Sequence, residues 1–101
     1  MKVLELCARI QEICLIPNSD RDALQRLIIG KGSPVGKALL FDLMVKYKVE
    51  VNYDSNLVGV LVRIGGTASG WEYTGSKDYE TDKGIPRAIL ECIVEANNNA
   101  Q

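Results

Sequence analysis

The spacing of apolar residues along this chain changes at Tyr47, from the period of a helix to that of a strand. Up to that point apolar positions recur with a period near 3.6; directly after it, through residue 54, they alternate. In residues 48–54, Val49, Val51 and Tyr53 point one way, while Lys48, Glu50, Asn52 and Asp54 point the other. Asp54-Ser55-Asn56 reads as a turn. Residues 57–64, LVGVLVRI, are almost continuously apolar, the mark of a central strand covered on part of both faces. Gly59 within them predicts a bulge or a close approach. Gly65-Gly66 predicts a hairpin turn, and SGWEYTG a third strand with Trp71 and Tyr73 on one face. Pro86 then sits in the first turn of a last helix, whose apolar face is Ala88, Ile89, Cys92, Ile93 and Ala96. Residues 97–101 are expected to fray.

Three helices precede the change. Val3, Cys7, Ile10 and Cys14 form a helical stripe that Pro17 ends, with Glu5, Arg9 and Glu12 off it. Ser19 with Asp22 resembles a capping box, opening a second helix with Ala23, Leu24, Leu27 and Ile28 inward. Gly30 supplies a left-handed stop. Ser33-Pro34 starts a third helix as N-cap and first helical residue. Gly36, Leu39, Leu40, Leu43, Met44 and Tyr47 follow at helical spacing and make it the best amphipathic helix in the chain. Gly36 on that face admits the close approach of another backbone.

These elements predict an α+β fold: N-terminal helices and a C-terminal helix packed on a three-stranded antiparallel β-meander. With 101 residues the chain has the length of one domain with one modest core. On this reading residues 1–34 are a helical N-terminal extension, and residues 35–96 hold helix, three strands and helix.

Composition excludes several functions. Twelve basic and thirteen acidic side chains give a formal net charge of −1. Without a basic footprint, a dedicated duplex-binding protein is not expected. No apolar run approaches the ~20 residues that span a bilayer, and the charged N-terminus is not a signal peptide, so the expected place is the cytoplasm. Cys7, Cys14 and Cys92 sit among apolar neighbours with no CxxC spacing, and read as small buried hydrophobes. The chain contains no histidine. Ser/His/Asp and Cys/His catalysis are therefore excluded, and the commonest transition-metal ligand is missing. Neither an enzyme nor a cofactor-dependent protein is expected.

The segment IIGKGSPVGKA looks like a phosphate loop but fails its spacing. Five residues separate Gly30 from Gly36 where four are needed, and Ala38 stands where Ser or Thr would hold magnesium. A weaker reading survives, in which amides at the helix start, with Lys31 and Lys37, hold an anion. Asp78, Glu80 and Asp82 alternate in the loop 76–84, but the glycine and closing Glu of a calcium loop are absent. A solvated loop explains them better. Trp71, Tyr73 and Tyr79 are candidates for a recognition surface, or else Trp71 and Tyr73 roof the sheet against a helix. Arg63 and Arg87, near one another in the expected layout, are candidate anion contacts. The candidate binding set is thus Lys31, Arg63, Trp71, Tyr73, Asp78, Tyr79, Glu80 and Arg87.

Residues 35–96 also carry a resemblance. GKALLFDLMVKY, the three strands, and ETDKGIPRAILECIVEA follow the order of the small phage ABA sandwich domain. That domain runs helix, three-stranded antiparallel sheet, helix, and ends in a short acidic/Thr stretch, a Pro and an alanine-containing helix. The resemblance implies a phage or prophage origin and a binding role, with no catalytic residues to carry over. The leading expectation is a non-enzymatic accessory protein that binds and modulates a host protein, with counter-defence as its most concrete form. The alternative is a binder of a small nucleotide-like anion. A homodimer is a further expectation, from the open edges of so small a sheet.

Overall fold

The structure is a computed structural model. It describes the backbone of residues 1–54, 57–64, 67–74 and 84–99, and the side chains of 1–52, 59–64 and 84–98. The order of elements is α1 (Val3–Cys14), a 3-10 turn (Asn18–Asp20), α2 (Arg21–Ile28), α3 (Pro34–Lys46), β1 (Glu50–Asp54), β2 (Leu57–Ile64), β3 (Thr67–Thr74) and α4 (Gly84–Asn99).

Helix ends follow local chemistry. Gly30 has φ 86°, and the amides of Gly30 and Lys31 donate to the carbonyls of Leu27 (3.1 Å) and Arg26 (2.8 Å). These two bonds satisfy carbonyls that the end of α2 leaves open. Ser33 caps α3, its Oγ accepting from the Gly36 amide at 3.1 Å. The capping box at Ser19 and Asp22 does not form. Residues Asn18–Asp20 make a 3-10 turn in which the Asp20 amide donates to the Pro17 carbonyl (3.0 Å), and α2 starts without a side-chain cap. The last helix does not fray at residue 97 but runs to Asn99. Arg9 of α1 donates to Asn98 Oδ1 at 2.8 Å and ties the two helices together there.

The strands are antiparallel in the order β1-β2-β3. The register pairs Asn52 with Gly59 and Gly59 with Glu72 without interruption, so Gly59 makes no bulge. A Cβ there would come no nearer than 4.0 Å to the Asn52 carbonyl, an ordinary contact. Lys48, in the left-handed region at φ 49°, separates α3 from the strand and delays its start to Glu50. The third strand begins two residues earlier than SGWEYTG, at Thr67.

The core is organised by α4. Ala88, Ile89, Leu90, Cys92, Ile93, Val94 and Ala96 are all buried, on both sides of the helix. The Cys92 side meets β2, with Sγ 3.8 Å from the Val60 carbonyl, and Val60 and Val62 are buried beneath it. Leu90 and Val94 lie roughly half a turn away from Cys92. α1 and α2 pack on α4 and on each other, burying Leu6, Cys7, Ile10, Leu24, Leu27 and Ile28. α3 packs on α2.

This corrects the expected architecture. That reading set the N-terminal helices together with the last helix on a three-stranded antiparallel meander. The protein is instead predominantly helical, and α4 alone among the helices packs broadly on the sheet. Among the described side chains, the sheet's share of the core comes from the antiparallel pair β1 and β2, through Val51, Val60, Val62 and Ile64. The physical reason is the second apolar side of α4. Leu90 and Val94 would be stranded in water if every helix lay side by side on the sheet, so α1 and α2 cover α4. The mixed helix-and-sheet class itself holds.

Candidate binding cleft

Where α2 ends, α3 begins and α4 begins, the three helices leave an open cleft of about 610 Å³. Its apolar lining is Leu27 from α2, Leu40 and Met44 from α3, Val51 from β1, and Ile85, Pro86 and Ile89 from α4. Gly30, Lys31, Gly32 and Lys37 form the polar side. The cleft exists because of two local features. The left-handed turn at Gly30 swings the chain away from α2, and the Ser33 cap restarts it as α3 at an angle that leaves a gap. Gly36 then lets α3 close on α2: a Cβ there would stand 3.0 Å from the Ala23 carbonyl oxygen and 3.5 Å from Leu27 Cβ. The close approach read from the sequence at Gly36 is thus to the backbone of α2.

Among the described residues, the charged side chains of the cleft carry one sign. Lys31 and Lys37 line it, and no acidic side chain does so among the described residues. Lys37 folds across Gly32, since a Cβ on Gly32 would meet Lys37 Cε at 3.2 Å and Cγ at 3.6 Å. α4 also begins here. Ile85 and Pro86 belong to its first turn, where the helix dipole adds positive potential. The cleft therefore offers an apolar floor beside a cationic rim.

Of the expected binding residues whose side chains are described, Lys31 alone lines this cleft. Arg63 is on the side of β2 away from α4, by alternation with the buried Val60 and Val62. It is held there by Glu50 (3.0 Å) and by donation to the Lys48 carbonyl (3.1 Å). Arg87, on α4, pairs with Glu91 at 3.2 Å and donates to the Met1 carbonyl. The expected pairing of Arg63 with Arg87 at one anion is corrected: the sheet and α4 place them apart, each with partners of its own. The backbone of Trp71 pairs with Val60, and that of Tyr73 with Val58. Their side chains, and the whole of Asp78, Tyr79 and Glu80, lie outside the described residues.

The cysteines are structural. Cys7 and Cys92 are buried, Cys14 is half-buried beside the Tyr47 hydroxyl at 3.8 Å, and none forms a disulfide. Burial raises all three thiols, that of Cys92 to about 11 with Glu95 adding to the effect, which keeps them protonated and unreactive near neutrality. No group of three or more metal-ligating side chains is assembled among the described residues. No helix among them is long and apolar enough to cross a membrane.

Lys37, Leu40, Met44 and Pro86 are cleft residues that the candidate set omitted. The signal was present in IIGKGSPVGKA, whose two lysines flank a helix start. What pattern alone did not supply was the first turn of α4, some fifty residues later, as the opposite wall. Comparison of the chain with protein-family models, with curated proteins and with solved structures gives no match.

Proposed function

We propose that the protein is a binding protein whose cleft takes a small amphipathic anion: a molecule with one apolar part and one or two negative groups. The observation that carries this reading is the pairing of an apolar floor (Leu40, Met44, Val51, Ile89) with Lys31, Lys37 and the start of α4. Pockets of this size usually combine an apolar lining with a few polar groups that fix orientation. A phosphate or carboxylate would sit at the lysines, and a ring or short alkyl chain would replace water over Met44 and Val51. Such contacts support binding rather than bond-making chemistry.

Thermal unfolding with a panel of mononucleotides, alkyl phosphates and medium-chain carboxylates tests this. A true ligand at 100 times its Kd stabilises by ~2.7 kcal/mol, a rise of roughly 10 °C or more for a chain of this size. The shift should vanish in a Lys31→Glu/Lys37→Glu double variant that unfolds at the unliganded temperature. No shift with any class, or an equal shift in the variant, would reject the cleft as the site.

A second reading, a phage-derived accessory protein that binds a host protein, has its own observation. Leu4, Ala8 and Leu15 recur along the outer side of α1, exposed, with Glu5 and Glu12 beside them. Leu15 is 86% exposed and also left-handed at φ 56°, two unfavourable conditions at one residue. A partner with an apolar ridge flanked by basic side chains would cover it. Affinity capture from host lysate with wild type and Leu15→Asp tests this reading. A stoichiometric partner lost in the variant supports it, and equal recovery by both removes α1 as the surface.

A further inference from the structure

α3 is apolar on two sides, and the core uses only one. Gly36, Leu43 and Tyr47 are buried against the body of the protein. On the opposite side Pro34, Ala38, Phe41 and Val45 stand in water, with Phe41 66% and Val45 62% exposed. Their spacing is four, three, four. That is the seam of a two-stranded coiled coil, with Pro34 and Phe41 at d and Ala38 and Val45 at a.

We propose that this seam pairs with the same seam of a second copy of the chain, the two α3 helices running parallel. Charge selects the partner and the direction. Lys37 then falls at g and Asp42 at e, five residues apart; in the dimer each lysine turns from its place across Gly32 to the partner's aspartate, and two-fold symmetry makes the pair twice. An antiparallel pair would instead set Lys37 against Met44 and Asp42 against Val35, with no charge matched. The β-branched Val45 at a favours two strands, and Ala38 lets the helices approach. Shape agrees with charge. The seam lies opposite the buried face of α3, so the two bodies sit on the outer sides of the helix pair and do not collide. The sheet edges, from which a homodimer was expected, are not needed for this contact.

A seam of two heptads buries less than the ~1,200–2,000 Å² of stable interfaces, so association is weak and concentration-dependent. Sedimentation equilibrium over roughly 10 µM to 1 mM covers the range in which such an interface assembles. Wild type should pass from monomer to dimer, and Phe41→Asp should stay monomeric. Lys37→Glu and Asp42→Lys should each weaken the dimer about tenfold, and the double reversal should restore it to within about twofold. Ala38→Cys, at an a position facing its own copy, should cross-link on mild oxidation, while Val35→Cys should not. Far-UV circular dichroism confirms that each variant is folded. A wild type monomeric throughout, a Phe41→Asp dimer as tight as wild type, or a double reversal no better than the singles would overturn the proposal. Lys37 serves both readings, so they are separated by variants that each touch only one: Phe41→Asp and Asp42→Lys lie outside the cleft and test the dimer, and Lys31→Glu alone tests the cleft.

Discussion

Gly36→Ala sets two known effects against each other, and the structure decides which wins. In an exposed helix interior the change stabilises by about 1 kcal/mol, since Ala is the better helix former. Position 36 is not exposed. The new Cβ would stand 3.0 Å from the Ala23 carbonyl oxygen, 3.4 Å from Ser33 Oγ and 3.5 Å from Leu27 Cβ. The nearest of these belongs to the backbone of α2, which is itself held between α1, α3 and α4 and has no room to retreat. Relieving the contact means lifting α3, which strains the Ser33 cap and widens the cleft. Overpacking of this kind costs about 1–3 kcal/mol. The net expectation is a loss of roughly 1 kcal/mol, seen as a urea midpoint lower by about 0.5 M and a Tm lower by about 5 °C. Gly32→Ala is the control. Its Cβ meets only the flexible end of Lys37, and Gly32 is not in the left-handed region. Its stability should stay within about 0.5 kcal/mol of wild type. A Gly36→Ala protein as stable as wild type, or more so, would refute the claim that α3 is seated through Gly36 on the α2 backbone.

Three further outcomes follow from single residues. Leu15→Gly should raise stability by roughly 0.5–1 kcal/mol in urea unfolding, because glycine removes the left-handed strain at φ 56° and no buried area is lost. Ser33→Ala should cost about 1 kcal/mol by freeing the Gly36 amide, and Ser33→Asp should recover most of it. The buried Cys92 thiol has its folded pKa raised from 9.0 to about 11, so its contribution is fully present below pH 9. Above pH 9 the unfolded chain loses the proton first, and stability falls as pH rises towards 11, by on the order of 2 kcal/mol. Urea midpoints at pH 8 and pH 10.5 should therefore converge in Cys92→Ala relative to wild type, and an unchanged gap would show that Cys92 is not the group responsible.

Much of the local structure was legible because it depends on near neighbours. The period change at Tyr47, the stop at Gly30, the cap at Ser33 and the span of β2 are set by residues a few positions apart. Ser19 misled because an acceptor three residues from a carboxylate is only one way to start a helix; the 3-10 turn after Pro17 satisfies the Asp20 amide first. The cleft was half legible. Lys31 and Lys37 were visible as cations at a helix start, but the wall from α4 comes from packing between elements far apart in sequence. Arg63 and Arg87 misled for the same reason, since their nearest acidic partners, Glu50 and Glu91, are set by strand pairing and helix spacing rather than by an assumed ligand.

The least legible feature is shared by α3 and α4, and it bears most on function. Each carries apolar residues on two sides, so α3 is not the best amphipathic helix that its Gly36–Tyr47 spacing suggested: Val35, Phe41 and Val45 make a second apolar side. For α4 both sides are buried: Leu90 and Val94 are covered as fully as Ile89 and Cys92, because the sheet and the α1–α2 pair enclose it. For α3 only one is. Leu43 and Tyr47 are buried, yet Phe41, Val45 and Val35 remain exposed on a helix that contacts only α2 broadly. Fully burying an aromatic or aliphatic side chain is worth about 1.5–3 kcal/mol, so a phenylalanine left two-thirds exposed forgoes most of that within the monomer. In the proposed dimer Phe41 regains that burial, with Lys37 and Asp42 flanking the seam.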